Sequence, residues 1–449
     1  MSSGPAPTAR AVGIVVLVLA AVILARALFR GGDAPGREPV FVPVFTALFE
    51  TGGALTDAWA DYDGDGDPDR FVGFNGVASR LYRNDREGGF VDVAPEVGLA
   101  VERGVRTSAW GDFDGDGDPD LLLGYAGEGP VTALWRNDGK EGFTEVSEQV
   151  GLSLDEGATR QASWVDFDGE GDLDLFLALR NAPNRLYRND GGTFADVASA
   201  EGLDDPRRSV GAVWFDADRN GLLDVIVANM DGDANGLWLQ GPEGFADAAA
   251  GTDMAAGGRP LGDPDLGTVR PCVADYDGDG AFDVFTANYG PNGLLRGTLE
   301  GGRVTFTNLA RDLGLAVDGR YDTCAFADFD HDGDLDVYVN GTITGGRSYR
   351  DYLFRQDDGR FYDVTPAQLR DTESDHGATW VDYDLDGDVD LSLVGAGENG
   401  MHLIFQNLLR PEFVGHSLQI RVLDALGRAS RPGAEVRVYA AGTDRLLST

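Results

Sequence analysis

The 449 residues predict an all-β chain: a seven-bladed β-propeller of four-stranded blades, closed by an N-terminal strand and followed by a short C-terminal β segment. Three observations carry that reading. An acidic nine-residue segment occurs seven times, it returns at the spacing of one propeller blade, and the same short strand patterns surround every copy.

The first copy is Asp61-Tyr-Asp63-Gly-Asp65-Gly66-Asp67-Pro-Asp69, and others begin at Asp112, Asp166, Asp216, Asp275, Asp328 and Asp382. The intervals are 51, 54, 50, 59, 53 and 54 residues. A bulky residue stands two positions before each first Asp: Trp59, Trp110, Trp164, Trp214, Val273, Phe326 or Trp380. After the acidic segment comes an apolar run such as Leu121-Leu122-Leu123, and then a strand such as Leu81-Tyr82-Arg83-Asn84. A Gly-rich turn and a Phe-led strand, such as that at Phe90, Phe143 or Phe194, complete the unit. Each unit is thus four short strands, and helix content should be very low.

The seventh unit lacks its Phe-led strand, while Val44-Phe45-Thr46 precedes the first unit as a spare. Placing it in the last blade closes the ring and removes the exposed edges of a linear array. The propeller then spans residues 43–407. Upstream, Ala11–Ala25 is an uncharged apolar run flanked by Arg10, Arg26 and Arg30. It is shorter than the roughly 20 residues of a full span and fits a signal h-region. With Arg26 snorkelling, Ala11–Phe29 serves instead as an uncleaved anchor. Residues 1–30 are therefore a signal peptide or membrane anchor and 31–42 a linker. Either option exports the remainder to a periplasmic, secreted or cell-surface location, with membrane contact only through an uncleaved N-terminus.

Alternating carboxylates on a tight loop converge on one point, and oxygen-only ligands select a hard cation such as calcium. Glycine at position six permits the bend. Positions one, three, five and nine supply the expected ligands: Asp61, Asp63, Asp65 and Asp69; Asp112, Asp114, Asp116 and Asp120; Asp166, Asp168, Glu170 and Asp174. The later loops supply Asp216, Asp218, Asn220 and Asp224; Asp275, Asp277, Asp279 and Asp283; Asp328, Asp330, Asp332 and Asp336; Asp382, Asp384, Asp386 and Asp390. Up to seven Ca²⁺ ions follow. An EF-hand is excluded because its twelfth position needs a carboxylate, and here that position is Val72, Leu123, Leu177, Val227, Thr286, Val339 or Leu393. The fourth loop has the fewest carboxylates and should bind most weakly.

These loops, with the strand string Asn184-Arg-Leu-Tyr-Arg-Asn189-Asp-Gly-Gly-Thr-Phe194-Ala-Asp-Val197 and the following Gly202-Leu203, resemble the FG-GAP or VCBS repeat. That repeat builds integrin α-subunit propellers and many bacterial secreted proteins, and this version is similar to that of the cartilage acidic protein family. The resemblance implies calcium binding and extracellular interaction, and no reaction. Downstream, His416–Val422 and Pro432–Val438 resemble the opening strands and Gly-Ala signature of a UnbV/ASPIC domain, giving a partial copy over 408–449.

The formal net charge of -40 excludes ordinary phosphate-backbone binding, so no nucleic-acid partner is expected. The seven loops hold 32 of the 76 acids and one of the 36 bases, so most of the acidity belongs to them. No Gly-x-Ser-x-Gly, His-Glu-x-x-His or phosphate-binding glycine loop occurs. The expected function is a non-enzymatic adhesion or interaction module whose partner is an extracellular protein or glycan. The alternative is an exported hydrolase or lyase using the propeller face. The tryptophans read as packing between blades.

Cys272 and Cys324 lie three and four residues before Asp275 and Asp328, on innermost strands of the fifth and sixth blades. The offset points them from opposite faces of their sheets, toward each other across neighbouring blades. A disulfide is open, and two buried thiols are the favoured reading. The opposite end of each innermost strand carries a different signal. Arg106, Arg160 and His376 stand six residues before their first Asp, Arg270 five before, and Arg208 and Arg320 eight before. Guanidinium groups converging on that mouth would hold a carboxylate, sulfate or phosphate bidentately, making the partner anionic there. The competing expectation pairs each arginine with an acid of the next blade, such as Asp322 or Asp375.

Overall fold

A computed structural model describes residues 39–125, 129–370, 372, 376–397, 401–409, 438–439 and 446–448. The first blade pairs Ala54–Ala60, Asp69–Phe74, Arg80–Asn84 and Phe90–Asp92 antiparallel in chain order. The second, third and fourth blades repeat that order from inner strands Val105–Gly111, Ala158–Val165 and Ser209–Phe215. The fifth and sixth start from Gly267–Ala274 and Asp318–Ala327, and Tyr289 pairs with Arg320 to join them into one eight-stranded sheet. The seventh combines Gly377–Val381, Asp390–Val394 and Ile404–Asn407 with Phe41–Val44 from the other end of the described chain.

That last pairing closes the ring, with a different phenylalanine from the one expected. The added strand is Phe41–Val44, and Phe45 leaves the sheet with φ 50°. Phe41 faces Asn407 as Phe90 faces Asn84 and Phe194 faces Asn189, so the register of the repeat selects Phe41. Its ring is buried against Phe329 and Trp380, 6.2 and 6.1 Å away, while Phe45 is 41% exposed. The propeller therefore begins two residues earlier than the expected 43.

The second strands are buried on both faces, and so read as continuous apolar runs rather than alternating ones. Leu121, Leu122 and Leu123 are all fully buried. The core is a set of layers between blades; one joins Phe71 and Leu81 of the first to Leu121, Leu123 and Tyr125 of the second. The tryptophans pack there too, since Trp110 donates to the Ala58 carbonyl, Trp164 to Ala109 and Trp380 to Ala325, each at 3.2 Å. Among the described residues, helical structure amounts to single turns such as Ala94–Val97, closed by Gly98 in the left-handed region at φ 88°.

Cys272 and Cys324 form a disulfide, with Cα atoms 6.1 Å apart, which corrects the favoured reading of free thiols. The offset of one residue turns their side chains into the same gap between adjacent inner strands, within bonding reach. No helix among the described residues is long and apolar enough to cross a membrane. The expected signal or anchor, the linker up to residue 38 and most of the UnbV/ASPIC-like segment lie outside the described residues. At the C-terminus a short pairing of Val438–Tyr439 with Leu446–Ser448 is described.

Candidate functional site

Every acidic loop leaves the end of an inner strand and is fastened by its ninth residue. In the second loop one oxygen of Asp120 accepts the Phe113 N–H at 3.0 Å, and the other accepts the Asn137 N–H of the third strand at 2.8 Å. The same double bond recurs on Asp69, Asp174, Asp224, Asp283, Asp336 and Asp390. These seven carboxyls are buried at 0–1% exposure. Loop position one accepts the N–H of the position-six residue, as Asp61 does from Gly66 at 3.1 Å. Position five is bonded by the N–H of position seven, as Asp116 is by Asp118 at 2.9 Å. Glu170, one methylene longer, makes no counterpart bond among the described residues.

This wiring gathers carboxylates. Oxygens of Asp61, Asp63 and Asp69 lie within 4.8 Å of one another, as do those of Asp112, Asp114 and Asp120; of Asp166, Asp168 and Asp174; and of Asp216, Asp218 and Asp224. In the fifth loop the group is Asp275, Asp277 and Asp279. Position five thus stands outside the tightest group in the first three loops. Burial, against the backbone N–H bonds and reinforced by the neighbouring acids, pushes Asp69, Asp120 and Asp283 up to about 8 and Asp390 to about 9. Asp224, in the loop with fewest carboxylates, rises only to about 6.

The donor set fits a hard cation. All ligands are oxygens, and Asp61 Oδ1 and Asp384 Oδ1 are buried with no hydrogen-bond partner among the described residues. A buried carboxylate oxygen without a donor is costly unless a cation supplies the missing charge.

One recurring residue escaped the sequence reading. The asparagine or glutamine ending the third strand reaches the preceding blade. Asn137 Nδ2 donates to the Tyr62 carbonyl at 2.9 Å, Asn189 to Phe113 at 2.7 Å, and Gln240 to Phe167 at 3.0 Å. Gln356 reaches Tyr276, Asn407 reaches Phe329, and Asn84 reaches Tyr383 across the ring closure at 2.8 Å. Only at the boundary of the fourth and fifth blades is this latch replaced. Gly297 takes the position, where a Cβ would sit 2.1 Å from the Phe282 carbonyl, and Arg219 of the fourth loop bonds the Gly280 carbonyl of the fifth. The signal was the Asn closing each Leu-Tyr-Arg-Asn string.

At the other end of the inner strands, about 20 Å away at ~3.3 Å per residue, six strands carry a β-bulge in the same place. The register skips one residue between Ala54 and Thr56, Val105 and Thr107, Thr159 and Gln161, Ser209 and Gly211, Thr268 and Arg270, and Tyr321 and Thr323. The skipped residues are Leu55, Arg106, Arg160, Val210, Val269 and Asp322. His376 holds the matching place in the seventh blade, six residues before its first Asp. All seven line one cavity of about 310 Å³ on the propeller axis. A bulge re-aims the side chain it frees, and here it aims six of them into the cavity that His376 also lines.

The expected mouth residues therefore do converge: Arg106, Arg160, Arg270 and His376 share that cavity. Asp322, expected as a neutralising partner, is a member of the ring and lies 3.8 Å from His376 Nδ1. Arg270, one position later than the bulge, donates to Gln161 Oε1 at 2.7 Å. Arg208 is drawn to the rim and pairs with Asp233 at 3.1 Å, and Arg320 covers the Tyr289 ring at 4.8 Å. Asp375 lies outside the described residues.

A family model described as an FG-GAP-like repeat matches residues 61–123, 112–177, 166–227 and 275–339. Cartilage acidic protein 1 of Mus musculus is 28% identical over an alignment of 336 residues that covers 66% of this chain and 50% of that protein. Its Xenopus tropicalis counterpart is 29% identical over 333 residues, again 66% and 50%. The chain thus spans about half the length of the curated relatives it matches. Among solved structures, an ancestral GH74 enzyme is similar at a TM-score of 0.49 and 12% identity, over 81% of this chain and 49% of that one.

Proposed function

The chain belongs to the FG-GAP-like repeat family, and on that premise we propose that it is a non-enzymatic, exported, calcium-binding propeller that serves as an adhesion or interaction module. The observation that carries the calcium reading is the state of the loops themselves. Three carboxylate oxygens lie within 4.8 Å of one another in at least five of them, and in the first and seventh loops Asp61 Oδ1 and Asp384 Oδ1 are buried with no donor among the described residues. Near neutral pH such a loop needs protons or a cation, and a resident divalent ion neutralises it without unfolding. The first, third and ninth residues would hold the ion, with the fifth completing the shell. Export is supported by the disulfide, which persists in oxidising compartments. Calorimetric titration of calcium into the chelator-stripped protein tests the reading. Saturable binding of several ions per chain is expected, and no binding at millimolar calcium overturns it.

One observation favours a second reading. Asp322 and His376 form a carboxylate–imidazole pair on the wall of a cavity that also holds guanidinium groups. That is the equipment of a lyase or hydrolase acting on an acidic substrate. Turnover of acidic oligosaccharides that disappears in Asp322→Asn would favour it over a pure binding role.

A further inference from the structure

We propose that the axial cavity opposite the acidic loops binds the oxyanion group of a small soluble ligand, carboxylate or sulfate, between Arg160 and Arg270. Three features of the cavity carry the inference, and they deepen the interaction reading without depending on calcium.

The first is unmet positive charge. Arg160 makes no hydrogen bond and no ion pair with any described residue. Its burial, with the Arg106 charge adding to the effect, lowers its pKa to about 10. Among the described residues, Arg270 Nε is buried with no hydrogen-bond partner, and its guanidinium donates only to the neutral Gln161 side chain. The second is the shortage of counter-charge. Among the described residues that line the cavity, Asp57 is already held by the buried Arg70 at 3.2 Å and by Ser392, which leaves Asp322 as the one acid facing both Arg160 and Arg270. The rim behaves differently: Arg180 pairs with Asp231 at 2.7 Å, and Arg208 pairs with Asp233 at 3.1 Å and with Asp231 at 3.6 Å. In a chain of net charge -40, an arginine without an ion pair has many acids to choose from. Its position on a bulge, aimed at the axis, keeps it from them.

The third is size and shape. At about 310 Å³ the cavity sits at the lower end of the ~300–1,000 Å³ range of ligand pockets. Leu55, Val210 and Val269 set apolar surface between the charged residues of the ring. Such a pocket suits a compact body bearing one anionic group. A guanidinium fork binds planar or tetrahedral oxyanions bidentately, and the low exposure strengthens each charge-assisted bond.

The test is calorimetric titration of glucuronate, sulfate and neutral glucose into the calcium-saturated protein at constant ionic strength set with chloride. Saturable one-to-one binding of glucuronate or sulfate, and not of glucose, is expected. Arg160→Gln should weaken it about tenfold or more, and Arg270→Gln should weaken it as well. Arg188→Gln, which removes an exposed arginine paired with Asp190, should leave it unchanged. Arg160→Gln relieves repulsion from Arg106, so its melting temperature in the absence of anion should stay level or rise, and the preferred anion should raise wild-type melting more than chloride does. Preference for glucuronate identifies a carboxylate ligand, and preference for sulfate a sulfated one. Failure of both anions to bind the wild type, or equal binding by Arg160→Gln, overturns the proposal. Absence of calcium binding would sink the metal reading alone and leave this one standing.

Discussion

The two faces of the propeller are made by opposite ends of the same seven inner strands, and they treat the repeat in opposite ways. At the loop face the seven ninth-position residues are all Asp, all buried, and all bonded to the same two backbone positions. At the mouth, six residues before the first Asp of each loop, the seven equivalent positions hold Leu, Arg, Arg, Val, Val, Asp and His. A position that repeats unchanged seven times solves a problem every blade shares, here closing a strand end over a ring of charge. A position that takes five residue types in seven blades cannot serve the blade, because the bulge forms equally well around Leu55 and Arg106. The lesson is that the loop face holds the ring together and the mouth individualises it.

The largest expected effect separates the faces by removing metal. With dissociation constants of ~10⁻⁴–10⁻³ M and ~1 mM calcium, each site adds about 0.4–1.4 kcal/mol, and seven sites about 3–10 kcal/mol. That approaches the whole stability of a domain. Excess EDTA should therefore lower the melting temperature strongly, while an anion at the mouth should do far less. An unchanged melting curve in EDTA would remove the loops from the stability account.

Next in size is the disulfide, which lies between the two faces and closes a separation of 52 residues. In the chain-entropy model its removal costs up to about 4 kcal/mol. The double substitution Cys272→Ala/Cys324→Ala, followed by chemical denaturation in calcium, should show a loss of that order. A loss below about 0.5 kcal/mol would mean that the two blades are already held by the pairing of Tyr289 with Arg320.

Much of this was legible in the sequence because it is periodic. Asp112 and its six counterparts recur with a bulky residue two positions before and an apolar run after, so loops, strands and blade number follow from spacing alone. The latch was not legible, because Asn84 acts on a carbonyl 299 residues away and its string reads as an ordinary strand end. Phe41 and Phe45 look alike as strand leaders, and only the partner Asn407 separates them. The disulfide depended on whether two inner strands approach within bonding distance, a tertiary fact that the one-residue offset permits without requiring. Arg106, Arg160 and His376 were placed correctly by counting back from the loops, whereas Arg270 sits one position past its bulge and therefore against Gln161.

A smaller effect is expected from the latch. Asn137→Ala removes a buried bond to the first blade and strands the Tyr62 carbonyl, at a cost of about 1–3 kcal/mol. Gly297 marks the boundary that does without it. Hydrogen exchange should show the Asn137 variant loosening at the boundary of the first and second blades; loosening spread evenly around the ring would refute the latch as a local device.

The smallest effect ranks the loops. Asp112→Ala should cost more calcium affinity than Asp216→Ala by about 1 kcal/mol, since the fourth loop begins with fewer carboxylates and Asp224 is the least raised of the ninth-position acids for which a value is resolved. Equal losses by titration calorimetry would show that carboxylate number does not set affinity here.

The most direct test of the loop face as a charge ring that needs a cation is the melting temperature at pH 8 and pH 5.5, each with calcium and with EDTA. Asp69, Asp120 and Asp283 are raised to about 8 by burial in the metal-free fold. A raised carboxyl favours the folded state while protonated, so that stabilisation is present below the ordinary carboxylate range and is lost as pH climbs toward 8. In EDTA, acidification from pH 8 to 5.5 should therefore raise the melting temperature. In calcium the protein should melt higher at pH 8, and acidification should bring no such gain, because protons and metal compete for the same oxygens. A melting temperature that rises equally on acidification with and without calcium, or that ignores EDTA at pH 8, would contradict the account.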